Sequence, residues 1–118
     1  MRVFVYWNIH KGLWSVKALQ GPCKGLVIHR AHRVLLSNAT PKVSEVGRQR
    51  VIREGRKNVH AGIVGTLESL DIQEGLQDTG EAVSYNPYRG PDFYFKATER
   101  PYTGSKRAYL AHRVVIAL

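Results

Sequence analysis

The chain has 118 residues, of which 43% are hydrophobic and 23% charged, and it carries a net charge of +9. That length fits one domain and can bury about two thirds of its unfolded surface, so folding requires neither a disulfide nor a metal. Its Val, Ile, Leu, Trp and Tyr content excludes a disordered chain, and no apolar run approaches the roughly 18–20 residues of a membrane-spanning helix.

The start of the chain places one Arg before a strand-like segment, too short for a secretory core, so a cytosolic location is expected. The lone Cys23 follows Gly21-Pro22 and has no partner for an internal disulfide. The charge is segregated along the chain. Residues 1–67 hold twelve Lys and Arg against Glu45 and Glu54, whereas residues 68–118 hold six bases against seven acids. Such segregation focuses positive potential on one region, which suits a polyanion or an acidic protein surface as well as it suits simple solubility.

Arg2–Ile9 alternates as a strand, and His10-Lys11-Gly12 breaks it before a second strand, Leu13–Leu19. The pair reads as a β-hairpin with a three-residue loop. Gln20–Gly25 is a turn, and Leu26–His29 and Arg33–Leu36 are short strands. Thr40-Pro41 has the form of a helix start, a hydroxyl cap followed by proline, and predicts a helix over Lys42–Lys57. On that helix Val43, Val46, Gly47 and Val51 share one side, while Arg48, Gln49, Arg53 and Arg56 fall largely on the other. Arg50 and Ile52 break the pattern.

Val59–Leu67 reads as a strand in which Gly62 and Gly65 mark a bulge or a close backbone approach. Glu68–Glu81, with five acids and no Lys or Arg, reads as a solvated loop. Ala82–Tyr85 leads into the turn Asn86–Pro91, and Phe93–Lys96 and Ala108–Ala117 are the last strands. The expected fold class is α+β, a mostly antiparallel β-sheet with one main amphipathic basic helix packed on it. The C-terminal Val114–Leu118 would be an exposed edge able to pair two copies.

The densest feature is the run from Gly47 to His60. Arginine suits phosphate because its planar guanidinium donates two parallel hydrogen bonds and stays charged. Arg48, Arg53 and Arg56 are expected as a stripe, with Arg50 and Lys57 at its edge, His60 in support, and Arg30 and Arg33 on a neighbouring strand. A basic helix flanked by basic strands suits a nucleic-acid backbone, a nucleotide phosphate or an acidic protein, although a solvated helix face has the same composition. Trp7, Trp14 and the rings from Tyr85 to Phe95 would stack single-stranded bases if exposed; in so small a domain most belong to the core.

The five histidines show no metal-ligand spacing, and no carboxylate adjoins any of them, so no metal and no cofactor is expected. His60 is the best general-base candidate, with Arg56 or Lys57 to hold a phosphate, as a small ribonuclease would require. No phosphate-binding glycine loop is present. The pattern therefore leans away from an enzyme.

Three stretches, Val5–Val16, Gly47–Gly65 and Tyr85–Tyr88, resemble small proteins of tailed phages and prophages. The resemblance carries no catalytic residues with it. It implies an accessory phage protein acting in the infected bacterial cytoplasm on a nucleic acid, a nucleotide or a host protein. Three readings stand: a module that binds nucleic acid through the basic helix, a protein-binding inhibitor of a host or anti-phage defence enzyme, or a small ribonuclease using His60.

Overall fold

The first hairpin forms as its alternation demands. Strand β1 (Arg2–Asn8) pairs antiparallel with β2 (Leu13–Ala18), and Val3, Val5, Trp14 and Val16 turn to one face and are buried. The Asn8 side chain accepts the N–H groups of His10 and Lys11 at 3.0 and 3.1 Å, and Gly12, at φ 65°, donates to the Asn8 carbonyl at 2.9 Å. The loop is thus the four residues 9–12, one longer than expected. The computed structural model describes residues 1–56, 59–71 and 79–118.

After β3 (Val27–Ala31), strand β4 runs from Arg33 to Val43, far beyond the expected Leu36. Asn38 takes φ 51°, and the register with β5 (Ala61–Leu70) shifts there, so a bulge absorbs the break and the strand continues. Thr40-Pro41 is consequently strand and not a helix start. Pro41 is tolerated because β8, the neighbour on that side, pairs with β4 only as far as Ala39. The helix α1 (Glu45–Glu54) begins one turn later, where the Ser44 hydroxyl accepts the Gly47 N–H at 3.2 Å. It ends at Gly55, φ 64°, whose N–H returns to the Val51 carbonyl.

The remaining strands are β6 (Glu81–Ser84), β7 (Tyr94–Phe95), β8 (Ser105–Ala111) and β9 (Val114–Ala117). Among the described residues, nine antiparallel strands form one sheet in the order β3-β2-β1-β5-β4-β8-β9-β6-β7, with a single helix. The expected mostly antiparallel α+β fold is found. β9 lies between β8 and β6, so the C-terminal strand is interior and the edge expected there does not exist. Of the acidic stretch Glu68–Glu81, residues 72–78 lie outside the described residues, while Glu68 and Asp71 are not freely solvated. The Asp71 carboxylate accepts the N–H groups of His32 and Arg33, and Glu68, within β5, pairs with Arg107 at 3.2 Å.

Connectivity forces the sheet to curl. β3 is at one edge and β4 is fifth in order, yet only His32 separates them. A flat sheet would hold them roughly 19 Å apart at about 4.8 Å per strand, beyond the reach of one residue. The concave interior holds the main core, which joins Val3, Val5, Val16 and Ala31 to Leu36, Ile63, Val83 and Leu110. On the opposite face Leu35, Tyr109, Ala111 and Ile116 form a second, smaller cluster. The Arg113 guanidinium, in the turn between β8 and β9, sits 5.7 Å from the centre of the Trp7 ring on β1, a contact across the curl.

The expected strand Ala108–Ala117 is two strands joined by His112-Arg113, with φ 48° and 65°. This is a two-residue hairpin turn of the type that usually takes Asn-Gly. Replacing His112-Arg113 with Asn-Gly is expected to raise stability by about 1 kcal/mol, since left-handed backbone costs about 1–2 kcal/mol at an ordinary residue and glycine returns part of that as unfolded-state entropy. A higher urea midpoint with an unchanged m-value would confirm it.

Candidate functional site

The charge asymmetry of the sequence becomes an asymmetry of the sheet. Residues 1–67 supply β1 to β4, the helix and most of β5, which together occupy one half of the strand order. The near-neutral remainder supplies β8, β9, β6 and β7 on the other half. Among the described residues, eleven bases and four acids, Glu45, Glu54, Glu68 and Asp71, therefore belong to that half of the strand order.

The helix occupies the connection between β4 and β5, where Val43 pairs with Ala61 and the Ser44 N–H reaches the His60 carbonyl at 2.7 Å. Only Val51 of the helix is fully buried, while Val46 is 73% exposed. Val51 sets the phase. Arg48, three residues earlier, lies on the same inward side, and its side chain is 13% exposed. Its Nε donates to the Pro87 carbonyl at 2.9 Å and its Nη1 to Glu45 at 2.6 Å. Arg48 was expected at the head of the exposed stripe; it is instead a strap between the helix and the Asn86–Pro87 turn. Gln49 donates to the same Glu45 oxygen, and these two contacts, Gln49 first, hold the Glu45 carboxyl below its ordinary range.

A second strap joins His60 Nε2 to the Tyr85 hydroxyl at 2.7 Å, and Tyr85 stacks on the buried Phe93 with ring centres 4.9 Å apart. Burial pushes the Tyr85 phenol above its usual pKa. Use of His60 Nε2 as a general base would require that contact to break. Gly47 makes the approach possible, because a Cβ there would lie 2.7 Å from the His60 Cβ. Gly47→Ala is therefore expected to lower stability by about 1 kcal/mol, against the gain that alanine normally brings to a helix interior. A thermal melt showing a raised Tm would refute this.

Among the described residues, the exposed bases of the helix and its C-terminal end are Arg50, Arg53 and Arg56. Arg50 and Arg53, three apart, are neighbours on the outer face. Tyr88 is 65% exposed beyond the Pro87 strap, whereas Arg89 lies 4.0 Å over the Tyr94 ring and pairs with Glu99.

An open cleft of about 460 Å³ lies on the outer face of the first strands. Its floor is Phe4 and Tyr6, with Lys17 and Lys42 beside them and Val59 and His60 at the helix end. Register explains the grouping. Phe4 is opposite Lys17 on β2, and Lys42 is opposite Gly62 on β5. A Cβ at Gly62 would lie 2.7 Å from Phe4 Cζ, so the ring rests in the space a side chain would take, between the two lysines. Among the described residues, no carboxylate lines the cleft. The exposed Arg30 continues this face, since it pairs with Ser15, which pairs with Tyr6.

The sequence profile of the family described as Mycobacterium phage L5 gene 82 protein matches residues 1–118. The Gene 82 protein of Mycobacterium phage L5 is 46% identical over 117 residues, covering 94% of this chain and 90% of that protein. The chain belongs to this phage family. The resemblance expected from three stretches thus extends to the whole chain. No solved structure matches it.

In this gene 82 family member, two of the three familiar stretches meet at one place: Gly47–Gly65 carries the helix and His60, and Tyr85–Tyr88 receives both straps. Of the residues expected to bind phosphate, Arg50, Arg53 and Arg56 are gathered at the helix, and His60 links the helix to the cleft. Arg33 stands at the opposite end of the eleven-residue β4 from the helix and is not brought to it. Lys57 lies outside the described residues. Lys17, Lys42, Phe4 and Tyr6 were missed. Their only sequence signal is the alternation that turns Phe4, Tyr6 and Lys17 away from the core.

No helix among the described residues is long and apolar enough to cross a membrane. Among the same residues, no three His, Cys, Asp or Glu side chains converge as a metal site would require.

Proposed function

We propose that this phage protein binds nucleic acid through the basic half of its sheet and the outer face of its helix. The observation that carries the reading is the gathering, among the described residues, of eleven bases against four acids in one half of the strand order. Arg50, Arg53 and Arg56 are exposed there, and their guanidinium groups suit phosphate oxygens. Arg30, Lys17 and Lys42 extend the charge along the outer face of the sheet. In this account the helix is amphipathic only in a narrow sense: buried Val51 and the Arg48 strap hold a basic outer surface in place. The protein would act in the cytoplasm of the infected cell.

The test is fluorescence anisotropy with labelled 20-mers of single- and double-stranded DNA and RNA at low salt. Binding of at least one form in the micromolar range or tighter is expected, with affinity set mainly by phosphate contacts. Absence of binding to all four would overturn the reading.

A second reading, inhibition of a host or anti-phage defence enzyme, is favoured by one observation. Val46 is 73% and Tyr88 65% exposed near the strapped end of the helix, an apolar surface suited to a protein partner. A stoichiometric protein recovered by pull-down from nuclease-treated bacterial lysate, and lost on Val46→Glu, would establish this reading in place of the first.

A further inference from the structure

We propose that the cleft over Phe4 and Tyr6 receives an unpaired nucleotide, its base against the rings and its phosphate between Lys17 and Lys42. This rests on the nucleic-acid reading and names the form of the partner, a single strand, and the site that would select it.

Three observations converge. First, Phe4 and Tyr6 are successive outward residues of one strand, half-buried, with ring centres 5.9 Å apart and planes inclined by 35°. Aromatic side chains on the open face of a sheet form a platform on which bases stack, and only unpaired bases offer their faces. Second, the Phe4 ring has a seat. It lies over Gly62 and between cross-strand positions that bear Lys17 on one side and Lys42 on the other. From Lys17 on β2 to Lys42 on β4 is three strand spacings, roughly 14 Å at the backbone, so both long side chains can converge on an anion above the ring. Third, the cleft is large enough and of one sign. Its volume of about 460 Å³ falls within the roughly 300–1,000 Å³ of small-ligand sites, and among the described residues no carboxylate lines it opposite the two lysines. Val27 and Val59 supply apolar walls of the kind a sugar or base edge packs against.

A surface that merely covered the hairpin would have no need of a glycine at position 62 to seat an outward aromatic ring, nor of two lysines in a cleft that no carboxylate lines among the described residues. The helix and the cleft would also divide the work. The arginines of the helix contact phosphate in any nucleic acid, whereas the cleft recognises a strand whose base is free.

The experiment compares a labelled dT15 strand with a labelled 15-base-pair duplex, using three variants: Tyr6→Leu, Lys17→Gln/Lys42→Gln and Arg50→Glu/Arg53→Glu. Leucine and glutamine keep much of the packing volume of the originals, and melts confirm that each variant is folded. Tyr6→Leu is expected to weaken dT15 binding about tenfold, the scale of one missing base stack, and duplex binding less than twofold. The lysine pair should do the same, with a reduced salt dependence. If the cleft variants bind dT15 as the parent does while the arginine pair weakens both ligands, the cleft proposal is wrong and the nucleic-acid reading stands. If the parent binds neither ligand, both fall.

Discussion

Gly62→Val is expected to destabilise the protein by about 3 kcal/mol or more, a large part of the roughly 5–15 kcal/mol that holds a domain of this size together. A Cβ at this position would lie 2.4 Å from the Val5 carbonyl oxygen and within 2.8 Å of two atoms of the Phe4 ring. Ring atoms can move by a change of rotamer; the carbonyl belongs to the β1–β5 ladder and cannot. β1 and β5 would have to separate where Val5 and Ile63, both buried, face each other in the core. Gly90→Ala is the control, because a Cβ there meets nothing within 4 Å. Its urea midpoint should match the parent's to within about 0.5 kcal/mol of stability. Equal midpoints for the Gly62 and Gly90 variants would show that the close approach is not a constraint.

The second large effect concerns binding. Arg50→Glu/Arg53→Glu is expected to weaken nucleic-acid affinity about a hundredfold at low salt and to reduce the salt slope by about two, one for each phosphate no longer neutralised. The melting temperature should barely move, since both side chains are exposed and neither takes part in a strap. Arg48 would mislead as a probe. Its guanidinium ties Glu45 to the Pro87 carbonyl, so its removal disturbs the helix and the turn together. An affinity unchanged by the Arg50/Arg53 reversal would remove the helix from the interface.

Much of the architecture was legible where periodicity and turn chemistry agreed. β1 and β2 declare themselves by alternation, and Asn8 and Gly12 close their loop as such residues do. The sheet was misread where a turn used the wrong residues. His112 and Arg113 both adopt left-handed backbone without being Gly or Asn, so β8 and β9 read as one strand. Asn38 marks a bulge within a strand and not its end. Thr40-Pro41 imitates a helix cap, but its pairing with β5 outweighs the local preference and Ser44 caps instead.

The site was legible only in part, for a different reason. The arginines are visible as a run, yet which of them point outward depends on the phase of the helix, and Val51 alone fixes that. Gly47 and Val51, four apart, were the available clue, and they put Arg48 on the inward side. The cleft draws Phe4, Lys17, Gly62 and Lys42 from four strands, and their meeting depends on register between segments distant in sequence.

The most direct test of the central claim is the affinity for a single-stranded 20-mer measured from about 50 to 300 mM salt. Nucleic-acid binding through the basic half predicts a linear fall of log affinity with log salt, with a slope of several units for as many phosphates contacted. A flat profile, or no binding at the lowest salt, would contradict it.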